Sequence, residues 1–316
     1  MSSTPAPVAC DVLVVGSLNI DLVVHAPRLP QPGETLTGDG FATDPGGKGA
    51  NQAVAAARIG ARVAMLGWIG NDEHGRRLLA ALRREGIDAS SVGVDETLPT
   101  GVAFIMVARD GENSIVVVPG ANHGLRPRHV DEAAARLRAA RVVVAQLETP
   151  QATVFHALDM ARRAGAISLL NAAPAAVLAA RQLESVQWLV VNEGEARVLL
   201  GKPVDDVLQA RAAALALRAL GPPDAVITLG ANGLVHASAD GVVHHTTAAV
   251  TAVDSTGAGD TFVGVLAAAL AQGWPAAEAL RWGQAAASIA VTRRGAQAAM
   301  PTRAEVAALL AQQLAS

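Results

Sequence analysis

The residues with most chemistry to offer are Asp254-Ser255-Thr256-Gly257-Ala258-Gly259-Asp260. Small residues lead into a carboxylate, and an apolar, helix-forming stretch follows over 261–270. A helix that starts here turns its unpaired backbone N–H groups and its positive dipole end toward whatever lies above it. Phosphate, or a negative charge as it develops, suits that place. Asp260 stands at the rim, where a base reaches a substrate hydroxyl. Cradle and base in one short segment describe phosphoryl transfer to an alcohol. Taken alone, the segment fits a plain glycine turn with ordinary Asp capping equally well.

A second segment, Asp44-Pro45-Gly46-Gly47-Lys48-Gly49-Ala50-Asn51-Gln52, joins a strand to a helix, and its glycines allow close backbone approach to a ligand. It is not a P-loop, because Gly49 follows Lys48 where Ser or Thr is needed. Nor is there a dinucleotide fingerprint: Gly16 stands alone, and Gly257-x-Gly259 is followed by Phe262 in place of a third glycine. Phosphate chemistry therefore has to come from neither of the common nucleotide motifs.

Other polar residues fall at the carboxyl ends of predicted strands, where ligands sit in open α/β sheets. These are Asn19 and Asp21 after the first strand, Glu148 after the strand over 141–146, Asn192 and Glu195, and Thr228-Leu229-Gly230-Ala231-Asn232-Gly233. An Asx turn accounts for Asn19 and Asp21 as well as sugar binding does. Together the positions outline one crevice.

The elements that must hold these residues alternate. Strands are expected over 11–16, 63–67, 141–146, 167–171, 188–192 and 225–229. Helices are expected over 50–59, 75–85, 130–140, 152–164, 194–200 and 207–220. That rhythm predicts an α/β fold with a mostly parallel sheet covered on both faces. Two stretches, 21–41 and 100–118, read as strands without helices, and Asp110-Gly111 between apolar runs signals a hairpin. They predict a small antiparallel sheet attached to the core, whose exposed apolar face calls for a lid role or a dimer contact.

Composition narrows the function. The chain has 316 residues, 51% hydrophobic and only 3% aromatic, so its core must be built from Ala, Val, Leu and Ile. A net charge of -3 gives no basic footprint for nucleic acid, and the Arg76-Arg77, Arg83-Arg84 and Arg162-Arg163 pairs read as solvated helix faces. No apolar run has membrane-spanning length, and the first ten residues lack the features of a signal peptide. The single Cys10, in a loose-looking start, fits a reducing cytoplasm and not a nucleophile. The eight histidines have no zinc spacing, and no Gly-x-Ser-x-Gly elbow is present.

From residue 12 to about 301, these segments resemble the PfkB carbohydrate kinase family, and within it the ribokinase branch. The resemblance rests on Asn19-x-Asp21, Pro32-Gly33-Glu34-Thr35, Gly46 through Gln52, Gln146-Leu147-Glu148-Thr149-Pro150 and Asp254 through Asp260. It implies a single ribokinase-like kinase domain over 1–316, a three-layer α/β/α core with antiparallel lid strands inserted at about 19–45 and 98–119. It implies ATP-dependent phosphorylation of ribose at its 5-hydroxyl, Asp260 acting as base and Gly257-Ala258-Gly259 as anion hole. Asn19, Asp21, Gly46, Gly47, Lys48, Gly49, Ala50, Asn51 and Glu148 would contact the sugar. Asn192 and Glu195 would place hydrated Mg2+ and phosphate; Thr228, Leu229, Gly230, Ala231, Asn232, Gly233 and Gln284 would border the nucleotide together with Gly259. An activating K+ would sit on Asp254, the carbonyls of Thr256, Ala290, Arg293 and Gly295, and a group near Ala299, where the family pattern has Ser. A cytoplasmic homodimer joined through the lid is expected. A related sugar or nucleoside kinase, and a non-catalytic sugar-binding protein, are the alternatives.

Overall fold

The computed structural model describes residues 10–109 and 112–315. Two sheets carry the chain. The larger has nine strands and begins with β1 (Val12–Val15). The chain then leaves it for β2 (Asn19–Ala26) and β3 (Gly40–Gly46) and returns through α1 (Lys48–Arg58), β4 (Val63–Gly70), α2 (Glu73–Arg84) and β5 (Asp88–Asp95). A second excursion makes β6 (Gly101–Ala108) and β7 (Asn113–Val118). Next come α3 (Pro127–Glu132), α4 (Ala134–Ala139), β8 (Val142–Gln146), α5 (Gln151–Arg163), β9 (Ile167–Asn171), α6 (Ala180–Leu183) and β10 (Trp188–Asn192). The last third runs α7 (Glu193–Leu200), α8 (Val207–Ala219), β11 (Asp224–Thr228), β12 (Leu234–Ser238), β13 (Gly241–His245), α9 (Ala258–Ala271), α10 (Ala276–Ala290) and α11 (Arg303–Ala315).

Spatial order across the large sheet is β13-β12-β11-β10-β9-β8-β1-β4-β5. All pairings are parallel except those of β11 with β12 and of β12 with β13. Winding proceeds from β1 to β4 and β5, then crosses to β8 on the other flank. The strand order therefore reverses between β1 and β8, and a crevice opens there at the carboxyl ends. Strands buried on both faces need unbroken apolar runs, and β1 and β8 are fully buried along their length. Alternate residues feed two layers: Val12, Val14 and Val144 meet the helices α1, α9 and α10, while Leu13, Val15 and Val143 meet Leu137, Ala157 and Ala161 on the opposite side.

The smaller sheet is ordered β3-β2-β6-β7. Its outer pairs are antiparallel and its central pair, β2 with β6, is parallel, because both excursions leave the large sheet in the same direction. The turn residues Asp110 and Gly111 lie outside the described residues; β6 and β7 on either side pair antiparallel as a hairpin would. One face of this sheet looks back at the crevice. The other exposes Phe41 (66%), Phe104 (52%) and Val116 (61%).

Four features differ from what the sequence suggests or leaves open. Residues 130–140 form two short helices instead of one, since Pro127 starts the first early and the chain turns at Ala133. The strand Asp88–Asp95 has no sequence signature, being polar and only partly buried at the sheet edge. Cys10 is buried, and burial pushes its thiol up, away from nucleophilic use. Arg77 does not simply face solvent: its guanidinium donates to the Thr43 carbonyl of the small sheet. Among the described residues, no helix is long and apolar enough to cross a membrane.

Candidate active site

Two helices, α1 and α9, start at the crevice and cross close together. Gly264 makes this possible, because a Cβ there would sit 2.4 Å from the Gln52 carbonyl and 2.6 Å from the Ala55 side chain. Asp260 lies one turn earlier on the same face of α9 and so falls beside the first turn of α1. Its carboxylate, 7% exposed, accepts from Asn51 Nδ2 at 3.0 Å and Gln52 Nε2 at 2.9 Å.

The start of α9 carries no side-chain cap. Its N-cap, Gly257, has φ 73°, a left-handed conformation that glycine adopts without strain. The Ala258 N–H points back to the Ser255 carbonyl at 3.2 Å, and Gly259 faces a cavity of 220 Å3 that also exposes Lys48, Asn171, Asn192, Glu195, Thr228 and Asp260. A larger cavity of 710 Å3 lies beneath the small sheet. Asp21, Ala42, Asp44 and Ile105 line it from the sheet, and Asp254 through Thr256 with Gly295 line it from the core. Ser255 borders both cavities. Asp260 lines the smaller of the two.

The expected sugar contacts divide. Asp21 faces the larger cavity, its carboxyl packed onto Gly46, where a Cβ would come within 2.3 Å of it. Burial raises Asp21 to about 7, with Glu148, Asp260 and Asp44 adding to the rise and Lys48 opposing it. Asn19 is buried and held by Asn122 Nδ2 at 2.7 Å. Lys48 lines the smaller cavity, not the larger. Burial works against its charge, but the carboxylates of Asp260, Glu148, Glu195 and Asp21 more than offset this and raise it.

The N–H groups of Gly49 and Ala50, expected near the sugar, are already occupied. Gly49 donates to Ser17 Oγ at 3.2 Å and Ala50 to the Ser17 carbonyl at 3.0 Å. Glu148 accepts from the Lys48 N–H at 3.1 Å and from Ser17 Oγ at 2.5 Å, so part of its work is to cap α1. Asn51 directs one end of its amide at Asp260 and accepts from Gln297 Nε2 at 3.1 Å with the other.

On the nucleotide side, Asn192 and Glu195 form a reciprocal capping box at the start of α7, each bond 2.8 Å. Desolvation raises the Glu195 carboxyl, with Asp260 contributing in the same direction. Thr228 lines the smaller cavity, and Gly230, Ala231 and Asn232 form a short exposed 3-10 turn beyond it. Gly233 is in the left-handed region, where a Cβ would strike the His245 carbonyl at 2.0 Å. The Leu229 side chain is buried in the core, because the strand alternation turns it inward. Gln284 donates to the His245 carbonyl at 3.1 Å, fixing the chain that leaves β13.

Two loops meet beside α9. Asp254 Oδ1 accepts from the Thr256 N–H and Oδ2 from the Gly295 N–H, both at 2.9 Å. Burial works against ionisation of Asp254, but these bonds prevail and hold its carboxyl below the ordinary value. Asp254 thus ties the segment after Val253 to the one containing Gly295, and the Ala290 carbonyl accepts from the Arg293 N–H at 3.0 Å. A carboxylate and backbone carbonyls are oxygen donors of the kind that hard cations take. Ala299 is fully buried and offers no side-chain oxygen. Among the described residues, no group of three or more His, Cys, Asp or Glu is placed to hold a metal ion.

Several residues of the site escaped sequence reasoning. Ser17, Asn122, Asn171 and Gln297 act through partners 32 to 246 positions away, so no local pattern marks them. The available signal was burial of polar residues at strand ends.

The sequence pattern of the pfkB family carbohydrate kinases matches residues 10–303. The chain is 43% identical over 293 residues to a ribokinase of Haemophilus influenzae, covering 92% of this chain and 95% of that one. It is 36% identical over 297 residues to a deoxyribokinase of Salmonella typhi, covering 92% and 96%. Its fold is similar to that of an Arabidopsis thaliana ribokinase complexed with ribose and ATP, with TM-score 0.89, 33% identity and coverage of 96% and 99%.

Proposed function

The chain belongs to the pfkB family of carbohydrate kinases, and from that premise we propose how its residues carry the reaction. It is an enzyme that phosphorylates ribose with ATP. The observation that carries the proposed mechanism is Asp260, held by Asn51 and Gln52 at the uncapped start of α9 and lining the smaller cavity, which shares Ser255 with the larger.

Ribose occupies the larger cavity under the small sheet, which acts as a lid that excludes water. Asp21, ionised, accepts from sugar hydroxyls, with Asn19 and the Gly46-Gly47 backbone beside it. ATP lies over Thr228 to Gly233 with its γ-phosphate at the start of α9. Asp260 takes the proton of the 5-hydroxyl as that oxygen forms its bond to the γ-phosphorus. The bond from phosphorus to the β,γ-bridging oxygen breaks, and ADP leaves. The backbone of Gly257 to Gly259 and the Lys48 ammonium bear the charge on the transferring group, which is how positioning and electrostatics catalyse phosphoryl transfer.

Mg2+ would arrive on the nucleotide and keep several waters, with Glu195 and Asn192 as its nearest protein partners, and would neutralise phosphate charge. K+ would be held by Asp254 and the carbonyls of Thr256, Ala290, Arg293 and Gly295, supplying a fixed positive charge beside the anion hole. Ala299 leaves one of its positions to water. We place the reaction in the cytoplasm as that of a homodimer, in which Phe41, Phe104 and Val116 of the lid cover each other. Sedimentation showing only monomer at micromolar concentration would remove the dimer from this reading.

A deoxyribose reading has one observation in its favour, the similarity to the Salmonella deoxyribokinase. No Phe, Trp or Tyr lines the larger cavity, which favours a free sugar over a nucleoside. The test is ADP release with Mg2+ across ribose, deoxyribose, fructose and adenosine, with and without K+. Highest turnover on ribose, increased by K+, is expected. Stronger turnover on deoxyribose would move the specificity, and indifference to K+ would remove the cation from the mechanism.

A further inference from the structure

Behind Asp260 lies a buried group that the reaction as described does not use. Gln52 is 0% exposed and lines neither cavity, so neither substrate reaches it. Its amide nevertheless makes three hydrogen bonds. Gln52 Nε2 donates to Asp260 Oδ1 at 2.9 Å and to Asn171 Oδ1 at 3.0 Å, and its Oε1 accepts from Gln146 Nε2 at 2.6 Å.

The direction of these bonds is fixed by the acceptors: the Asp260 carboxylate and Asn171 Oδ1 take the Gln52 NH2, which leaves the Gln52 oxygen for the Gln146 NH2. Asn171 donates to the Val190 carbonyl at 3.2 Å, which turns its own oxygen toward Gln52. Rotating the Gln52 amide by half a turn would set oxygen against oxygen at both places. Asn51 is arranged likewise: Gln297 Nε2 occupies its oxygen, so its NH2 faces Asp260 Oδ2. Each oxygen of the carboxylate is therefore gripped from the α1 side, while Asp260 borders the smaller cavity.

Gln146 adds an independent indication. It is fully buried, its bond to Gln52 is the one its side chain makes among the described residues, and its Oε1 has no partner. The amide lies directly over Gly16, where a Cβ would come within 2.0 Å of that oxygen. A buried amide with one half unsatisfied is costly compared with an apolar side chain of the same size. Its purpose has to be found in the half that is bonded, which is the half that orients Gln52.

We propose that Gln52, braced by Gln146 and Asn171, is a positioning residue that aims the Asp260 carboxylate at the acceptor hydroxyl. The proposal rests on the reading of Asp260 as base. Misplacing a reacting group by about an ångström costs on the order of a hundredfold in rate, so the grip acts on kcat and not on binding.

The test uses the full chain and five variants: Gln52→Met, Gln146→Met, Asp260→Asn, and each methionine variant combined with Asp260→Asn. Gln52→Met should lower kcat about ten- to a hundredfold and Gln146→Met about three- to tenfold, with KM for ribose and ATP moving by less than about twofold. In the Asp260→Asn background neither change should lower the residual rate by more than about twofold, because there is no base left to aim. Equal losses in both backgrounds would assign Gln52 a purely structural role and overturn the proposal. So would a loss expressed in KM, or a wild-type kcat in both single variants. Full activity of Asp260→Asn would instead refute the base assignment itself, and that outcome is read from this variant alone. If Gln52→Met fails to fold, Gln146→Met decides the matter by the same criteria.

Discussion

Two glycine-led helices open onto one crevice, α1 after Gly46-Gly47 and α9 after Gly257, and their starts are treated in opposite ways. At α1 the first turn is closed by protein: Lys48 N–H meets Glu148, Gly49 N–H meets Ser17 Oγ, and Ala50 N–H meets the Ser17 carbonyl. A carboxylate already occupies the positive end of that helix. At α9 no side chain caps the first turn, and Gly259 looks into the smaller cavity. The first arrangement makes a rigid wall for a neutral sugar. The second leaves donors for an incoming anion. Glycine content is similar in both, so it is the neighbouring strand ends, β1 with Ser17 and β8 with Glu148, that decide which start can bind phosphate.

The contrast breaks most severely at α9. Asp260→Asn should lower kcat about a thousandfold or more while KM for ribose barely moves, since an amide keeps the contacts but cannot take the proton. Steady-state ADP release checks this, and near wild-type kcat would refute it.

On the α1 side the effect should appear in binding. Asp21→Asn should raise KM for ribose about ten- to a hundredfold, the loss of one or two charge-assisted bonds, with a smaller change in kcat. Because burial, Glu148, Asp260 and Asp44 raise Asp21 to about 7, ribose should bind more tightly as pH rises through 7 and the carboxylate forms. Stability runs the other way. The folded empty site holds a proton that the unfolded chain gives up near the ordinary value of 3.8, so the favourable contribution present at low pH is lost as pH rises through about 7. Asp21→Asn, measured without sugar, should therefore raise Tm by about 2–5 °C at about pH 8 and by less at about pH 5. A uniform shift at both would show that ionisation is not the cause.

The smallest expected effect sharpens the comparison directly. Glu148→Ala uncaps α1 and should cost about 1 kcal/mol of stability, seen as a Tm lowered by about 2–4 °C. It should also let sulfate or phosphate bind at α1 and recover part of that loss. If added anion has no more effect on the variant than on wild type, Glu148 is not what keeps the two helix starts different.

Much of this was legible before any coordinates. The alternation of apolar runs and amphipathic stretches foretold the parallel sheet, since strands buried on both faces have to be unbroken Val, Ala and Leu. Asp260, Asp21 and the glycine segments stood out because backbone approach and positive φ restrict residue choice locally. The strand Asp88–Asp95 was invisible, because an edge strand is half solvated and does not need an apolar run. The partners of the Gly49 and Ala50 donors were not legible, because both bonds go to Ser17, 32 and 33 positions away. Burial of the Leu229 side chain was likewise not legible, because it depends on core packing after the strand ends.

By itself, the sequence determined the layer architecture, the family resemblance and the carboxylate at the head of α9. These depend on periodicity and on local backbone restrictions, which are written in neighbouring residues. Only the tertiary structure decided that α1 is capped and α9 is open, that Asp21 lies among three other carboxylates, and that Gln146 and Asn171 bond to Gln52 behind Asp260. Charge and hydrogen bonding act over a few ångströms in space, and the residues that supply them here come from strand ends far apart in the chain.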